Sequence, residues 1–278
     1  MDDLTQRFSE VSGVLSAIDV FALFILGLSL LGVAYDFVRK KHREYYEAGA
    51  NLAIGIGNGL LSLTTFGLIF IITLWIAEQF AFSAIPMNIW TWPIAILLAD
   101  FSYYWMHRAE HRVRLFWTLH SVHHSSTEFD LTTGQRLAWL ESLFEWVFFV
   151  PMILIGFDLV QVIVSLLVVV AYQAWIHTEH IGKLGWLDAV VNTPSTHRVH
   201  HASNSQYIDK NFGGILMIWD QLFGSYQKEE KPVVYGLTKN IGTSNPIKIN
   251  VYEWVAVFND LKKTQGIKEK VKCLVNPP

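Results

Sequence analysis

Residues 143–175 read LFEWVFFVPMILIGFDLVQVIVSLLVVVAYQAW, two apolar runs parted only by Gly156-Phe157-Asp158. A break that short, carrying a turn-forming Gly and Asp, predicts a tight helical hairpin in a membrane. The first run, Leu143–Ile155, gains length from the amphipathic Leu137–Ser142, and the second is Leu159–Trp175. A hairpin returns the chain to the face it left. Whatever precedes residue 143 and whatever follows residue 175 therefore meet on one side.

Outward from the hairpin, three further stretches approach the roughly 20 apolar residues that cross about 30 Å of hydrocarbon. They are Ala17–Val38, with Asp19 and Asp36 near its ends, Leu52–Ala77, and Ile85–Trp105, interrupted by Pro93 and carrying Asp100. Gly55 and Gly59 have the GxxxG spacing of closely packed membrane helices, a better reading of GIGNG than a phosphate loop. The acidic start MDDLTQRFSE makes a poor secretory signal, so the first span reads as a retained anchor. Phe212–Phe223 is too short to span and reads as an interfacial or cap helix. Val251, Trp254, Val255, Phe258 and Leu261 mark an amphipathic helix that Gly266 ends.

Composition agrees. Of 278 residues, 52% are hydrophobic and 16% charged, against about 25% charged in soluble globules; mean hydropathy is +0.31. Disorder, collagen and coiled coil are excluded, and a net charge of −3 gives no bulk attraction to nucleic acid. The single cysteine, Cys273, excludes a disulfide framework, a Cys-ligated iron–sulfur cluster and a CxxC redox pair. Electrons, where needed, must come from a separate donor.

Basic residues orient the layout. Twenty of the 21 Lys and Arg fall in segments 39–51 and 106–142 or after Trp175, leaving Arg7 alone on the other side. The positive-inside rule then makes these segments and the C-terminus cytoplasmic. Trp75, Trp90 and Trp92 would line the outer interface, and Tyr103, Tyr104, Trp105 and Trp175 the inner one. The fold expected is all-α: a polytopic membrane helical stem of about four to five spans with a cytosolic His-rich cap. It forms one integral-membrane domain over 1–278, with N-terminal spans in 17–105, two His clusters in 106–142, the membrane hairpin in 143–175 and the cap in 176–278.

Ten of the eleven histidines lie between residues 107 and 201, in four clusters: HRAEH (His107, His111), HSVHH (His120, His123, His124), HTEH (His177, His180) and HRVHH (His197, His200, His201). Spacings of three and four put imidazoles on one helix face. All four clusters fall in segments predicted to share one side of the membrane. Neutral imidazole is a strong ligand for Fe, Zn, Cu and Ni, and ten are too many for one ion but suit two. No Glu precedes a His by three, which excludes the Glu-x-x-His di-iron bundles, and HRAEH has Arg108 where HExxH needs its glutamate. His42, in the basic run RKKHRE, reads as solvated.

The order HxxxH, HxxHH, HxxH, HxxHH resembles the fatty acid hydroxylase/sterol desaturase superfamily of membrane di-iron oxygenases. DFSYYWMHRAEH, LFWTLHSVHHSS and NTPSTHRVHHASNSQYIDKNFGGILMIWDQLFGSY sharpen the likeness over roughly Asp100–Tyr226, toward the bacterial sterol-desaturase-like and alkylglycerol-monooxygenase-like branch. Two departures bear on ether-lipid specificity: Arg112 follows the first cluster, where animal ether-lipid enzymes have Glu, and FDLTTGQRLAW is looser than that branch's pattern. The resemblance implies a membrane stem and cytosolic cap, two iron ions, and His107, His111, His120, His123, His124, His177, His180, His197, His200 and His201 as ligands. It implies O2-dependent hydroxylation or desaturation of a lipid C–H bond at the cytoplasmic face, with electrons from a cytochrome, ferredoxin or pterin type of partner. The bacterial inner membrane is the expected location, or the endoplasmic reticulum in a eukaryote. Zinc in isolated protein would be a replacement. Asp100 either orients a ligand imidazole or pairs with Arg108; Asn192 is a weaker catalytic candidate, as are Asn204 and Asp209. Gly213-Gly214 reads as a backbone turn, and Trp219 and Phe223 as packing the cap on the stem. The rival class is a membrane metal-binding or transport protein, which spans nearly uncharged at their centres disfavour.

Overall fold

The structure, a computed structural model, describes residues 2–38, 45–62 and 67–278, apart from the side chains of residues 2–4 and 36. His42 and its basic neighbours Arg39, Lys40, Lys41 and Arg43 lie outside the described residues. In chain order the helices are α1 (Asp2–Glu10), α2 (Ser12–Val38), α3 (Tyr45–Leu61), α4 (Gly67–Glu78), α5 (Thr91–Arg112), α6 (Arg114–His124), α7 (Val150–Ile155), α8 (Leu159–Gln173), α9 (Pro194–His200), α10 (Ile218–Leu222), α11 (Pro246–Lys263) and α12 (Ile267–Val275). Short 3-10 turns intervene, and no strand forms among the described residues, only three isolated bridges.

The α2 stretch Ser12–Tyr35 is long and apolar enough to cross a membrane, and Gly67–Glu78 and Leu159–Gln173 are shorter apolar helices. Leu23, Phe24, Leu30 and Leu31 of α2 are exposed, as suits a face turned to lipid. α5 and α8 pack side by side and run the same way, tied at their starts where Gln161 Nε2 donates to Thr91 Oγ1 at 3.1 Å. Their core joins Ala95, Ala99 and Met106 of α5 to Leu159, Val162 and Val169 of α8, with Phe70 and Leu74 of α4 and Met152 and Ile153 of α7. α3 and α6 share a second core, Ala50 and Ile54 against Leu119 and Val122, which Ile249 of α11 completes.

The hairpin turn forms as its residues dictate. Gly156 ends α7 at φ +114°, a left-handed conformation costly for any residue with a Cβ. Asp158 caps α8 by accepting from the Val160 and Gln161 N–H. Arg7 closes this end of the molecule, reaching Glu78 at 2.7 Å and Asp158 at 2.9 Å.

Several expected elements differ. Leu52–Ala77 is divided between α3 and α4, with residues 63–66 outside the described set. Gly55 and Gly57, rather than Gly59, make the close approach: a Cβ on Gly55 would sit 2.6 Å from the Gln135 carbonyl oxygen, one on Gly57 would strike the Trp139 indole, and Gly59 faces open space. Pro93 does not interrupt its helix, because α5 begins at Thr91 and Pro93 falls in the first turn, where its missing N–H costs nothing. The first hairpin arm is two 3-10 turns and the six-residue α7, not a continuous helix. Within Phe212–Phe223 only Ile218–Leu222 is helical.

Candidate metal centre

The histidines converge where α5, α6, α8 and α9 end. α5 carries His107 and His111 one turn apart, and α6 carries His123 and His124 on its last turn and His120 one turn before. His177 lies four residues past the end of α8. α9 begins with a reciprocal cap between Thr193 and Thr196 and has Pro194 in its first turn, which sets the phase of His197, His200 and His201.

Nine imidazoles gather into two adjoining groups, each with its potential ligand atoms within 4.8 Å of one another. His107, His111, His120, His124 and His200 form one; His123, His177, His197 and His201 form the other. All nine are buried. His180 is exposed and stands outside both groups.

Hydrogen bonds fix which ring nitrogen is bare. Nδ1 of His107 faces the Phe212 carbonyl at 2.9 Å, His123 that of Arg136 at 3.3 Å, His177 that of Gln173 at 3.0 Å and His200 that of Lys210 at 3.0 Å. A carbonyl only accepts, so each Nδ1 carries the proton and each Nε2 offers a lone pair. Two of those Nε2 atoms, on His123 and His177, point at each other at 3.2 Å, while Nε2 of His107 faces Nε2 of His120 at 3.0 Å and Nε2 of His177 faces that of His197 at 2.9 Å. Nε2 of His200 and His111 has no partner at all.

Bare lone pairs repel, and burial forbids the obvious remedy of a protonated ring. Desolvation holds His107 and His177 down at about 4, and desolvation plus neighbouring imidazoles holds the other seven well below the ordinary histidine range. A cation resolves the conflict. Two nitrogens each about 2.1 Å from one ion, at a right angle, stand about 3.0 Å apart. The donor set therefore fits a metal in each group, and all-imidazole chemistry suits Fe, Zn, Cu or Ni.

The two polar candidates act at one remove. Asp100, 1% exposed, touches no histidine and not Arg108. It accepts from the Ile215 N–H at 2.6 Å, the Leu216 N–H at 3.1 Å and the Trp219 indole at 2.9 Å. Arg108 instead donates to Tyr104 Oη and the Phe223 carbonyl. Asn192 donates to the Gly213 carbonyl at 2.7 Å and accepts from Thr196 Oγ1 at 2.9 Å. Both anchor the loop whose Phe212 carbonyl holds His107. Gly214 lets that loop close on Asp100, since a Cβ there would lie 2.9 Å from Asp100 Oδ1. Asn204 accepts from the Val234 N–H, away from the centre, while Asp209 pairs with Arg112 at 2.7 Å and lies 3.8 Å from His111 Nδ1. Trp219 and Phe223 pack around Phe101 of α5.

Sequence reasoning missed Arg136 and Glu110. Arg136, 1% exposed, donates to Glu47, Asn51, Ser125 and the Val122 carbonyl, while its own carbonyl holds His123. Glu110 lies three residues after His107 on the same helix, a spacing that was available in the sequence.

Two cavities reach the histidines from different sides. An apolar one of about 360 Å³ is walled by Ile18, Phe21 and Leu26 of α2 and Leu167, Val170 and Ala171 of α8, and ends on His107, His120, His123, His177 and His197. A second one of about 420 Å³ has the charged side chains Arg114, Asp209 and Lys239 and Tyr252 in its lining and ends on His111, His124, His200 and His201.

Comparison with known proteins places this geometry. Residues 92–225, which hold all nine grouped histidines, match the fatty acid hydroxylase family model. Over 274 residues the chain is 35% identical to human alkylglycerol monooxygenase, covering 98% of this chain and 61% of that protein. It is 30% identical over 149 residues to an ornithine lipid hydroxylase of Rhizobium tropici, covering 51% and 45%. It is 26% identical over 159 residues to a Δ7-sterol 5(6)-desaturase of Aspergillus fumigatus, covering 52% and 43%. The chain thus spans less than two thirds of the length of these relatives. No solved structure matches it. Through residues 92–225, the chain belongs to the fatty acid hydroxylase superfamily.

Proposed function

We propose that this protein is a dinuclear iron oxygenase that hydroxylates or desaturates an alkyl C–H bond of a membrane lipid at the cytoplasmic face. One observation carries the reading. The apolar cavity between α2 and α8 ends on histidines of both groups, so an alkyl chain entering from the membrane side arrives at the imidazoles without crossing water. The names of the three relatives share only a lipid as the molecule acted on. Lipid is accordingly the substrate class proposed here, and hydroxylation and desaturation share the hydrogen-removal step.

His107, His111, His120, His124 and His200 would hold one iron, and His123, His177, His197 and His201 the other. When bound, the pair supplies the reductive activation of dioxygen that attack on an unactivated C–H bond requires. The chain's own residues do the rest. The walls of α2 and α8 hold the alkyl chain in register by apolar contact and exclude water. Backbone carbonyls of Phe212, Arg136, Gln173 and Lys210 fix four imidazoles with Nε2 inward. A separate donor would supply the electrons, and the cavity beside Arg114 and Lys239 gives it an approach.

The same reading sets the protein in a membrane with its histidines and C-terminus cytoplasmic. The basic residues favour it, as does the site of Arg7, bound to Glu78 and Asp158 at the start of α8 while His177 follows its end. The test is purified, iron-loaded protein supplied with a reductant, 18O2 and in turn an alkylglycerol, an ornithine lipid and a sterol. We expect 18O in a hydroxylated product, or a new double bond without label. Absence of bound iron, or product formation undiminished in His120→Ala, would overturn the assignment.

A further inference from the structure

Imidazole ligands of a metal need a partner behind them, and in this centre those partners are not alike. His107, His123, His177 and His200 are each backed by a neutral backbone carbonyl. His120 has a carboxylate beside it instead: Glu110 Oε2 lies 3.4 Å from its Nδ1, which makes no hydrogen bond in this conformation. Glu110 is 5% exposed, and Glu141, 8% exposed, brings a second carboxylate within 4.8 Å of the same pair. Among the described residues no Lys or Arg pairs with either. Two buried carboxylates without a cation are costly, and each calls for a positive charge nearby.

The chemistry of the histidines supplies the reason for that arrangement. Neutral imidazoles bring no charge, so a divalent ion bound by them alone stays uncompensated in a buried site. Glu110 and Glu141 stand beside the five-histidine group, on the far side of His120 from its neighbours His107 and His124. Among the described residues no ion pair joins a carboxylate to a histidine of the four-histidine group. Asp209 near His111 is already engaged by Arg112.

We propose that Glu110, with Glu141 behind it, is the anionic support of the five-histidine site. It accepts the Nδ1–H of His120, turns Nε2 toward the ion and lends that one site negative charge. The two metal sites are consequently unequal, and the five-histidine site holds its ion more tightly. Glu110 is a positioning residue that acts through His120 and touches neither substrate nor ion. This inference rests on the dinuclear reading above.

Competition between purified full-length protein and a zinc-chelating indicator, with Zn(II) as the probe, tests it. Wild type should bind two ions with distinct dissociation constants. Glu110→Gln should weaken the tighter ion by about 10- to 100-fold, the usual effect of removing a carboxylate behind a ligand histidine, and leave the weaker ion unchanged. Glu141→Gln should weaken the same ion by a smaller factor, and it carries the test alone should Glu110→Gln not fold. Unchanged binding in the variants, or equal weakening of both ions, overturns the proposal while the dinuclear reading stands. Fewer than two ions in wild type overturns the dinuclear reading itself.

Discussion

His123 and His177, from α6 and from the segment after α8, face each other with Nε2 atoms 3.2 Å apart and no proton to share. Both Nδ1 atoms point at carbonyls, so both facing nitrogens are bare. Only an ion between them makes that contact favourable. His123→Ala or His177→Ala should therefore leave purified protein with one bound metal ion in place of two, by elemental analysis. Retention of both ions by either variant would refute the division of the histidines into two sites.

His180 is the control. It is exposed and lies in neither group. His180→Ala should keep wild-type metal content and wild-type product formation; loss of an ion would show that the third cluster supplies a ligand after all.

The metal-free protein should be acid-sensitive in a defined window. His107 and His177 sit at about 4 in the fold against 6.5 when free. Between those values the unfolded chain binds protons that the folded chain refuses, so stability falls as pH falls. Thermal unfolding in detergent should show a midpoint dropping from pH 6.5 toward pH 4 and level above about pH 7. A flat midpoint across the acid window would show that these rings protonate freely.

Asp100→Ala strands the Ile215 and Leu216 N–H and the Trp219 indole, at about 1–3 kcal/mol for each donor left buried and unpaired. The Phe212 carbonyl then loosens its hold on His107. Lower thermal stability together with weaker binding of one ion is expected. Loss of stability with wild-type affinity for both ions would confine Asp100 to the fold.

Ala171→Trp fills the apolar cavity from the α8 wall and replaces no histidine. Product formation should fall by about 10-fold or more, the scale of discrimination by apolar pockets, with metal content unchanged. Full turnover in this variant would mean that the alkyl chain enters elsewhere.

The histidine centre was legible where spacing sufficed. On α5, α6 and α9 the separations of three and four residues place imidazoles together, and nine of the ten expected ligands converge. His180 stands apart because the chain is no longer helical after α8, so three residues no longer mean one face. The Gly156–Asp158 turn was legible for the same local reason, a left-handed Gly followed by a capping Asp. Phe212–Phe223 misled because its apolar residues serve an irregular segment. Phe212 and Met217 are fully buried there, while the Asp220 carboxylate reaches back to the Phe212 and Gly213 N–H, a contact across eight and seven residues that a helix over 212–223 would hold two turns apart. Glu110 stands one turn from His107, which spacing shows, but its nearness to His120 of another helix is not something spacing shows.

The two cavities end on different faces of one histidine cluster, which bears on kinetics as well as on access. A molecule seated among Ile18, Phe21 and Leu26 and one seated beside Arg114 and Lys239 occupy separate spaces. Neither displaces the other. An alkyl-chain inhibitor should consequently leave the apparent affinity for a water-soluble reductant unaltered and act on turnover alone, so that oily and aqueous reactants meet through the metal without ever competing for room.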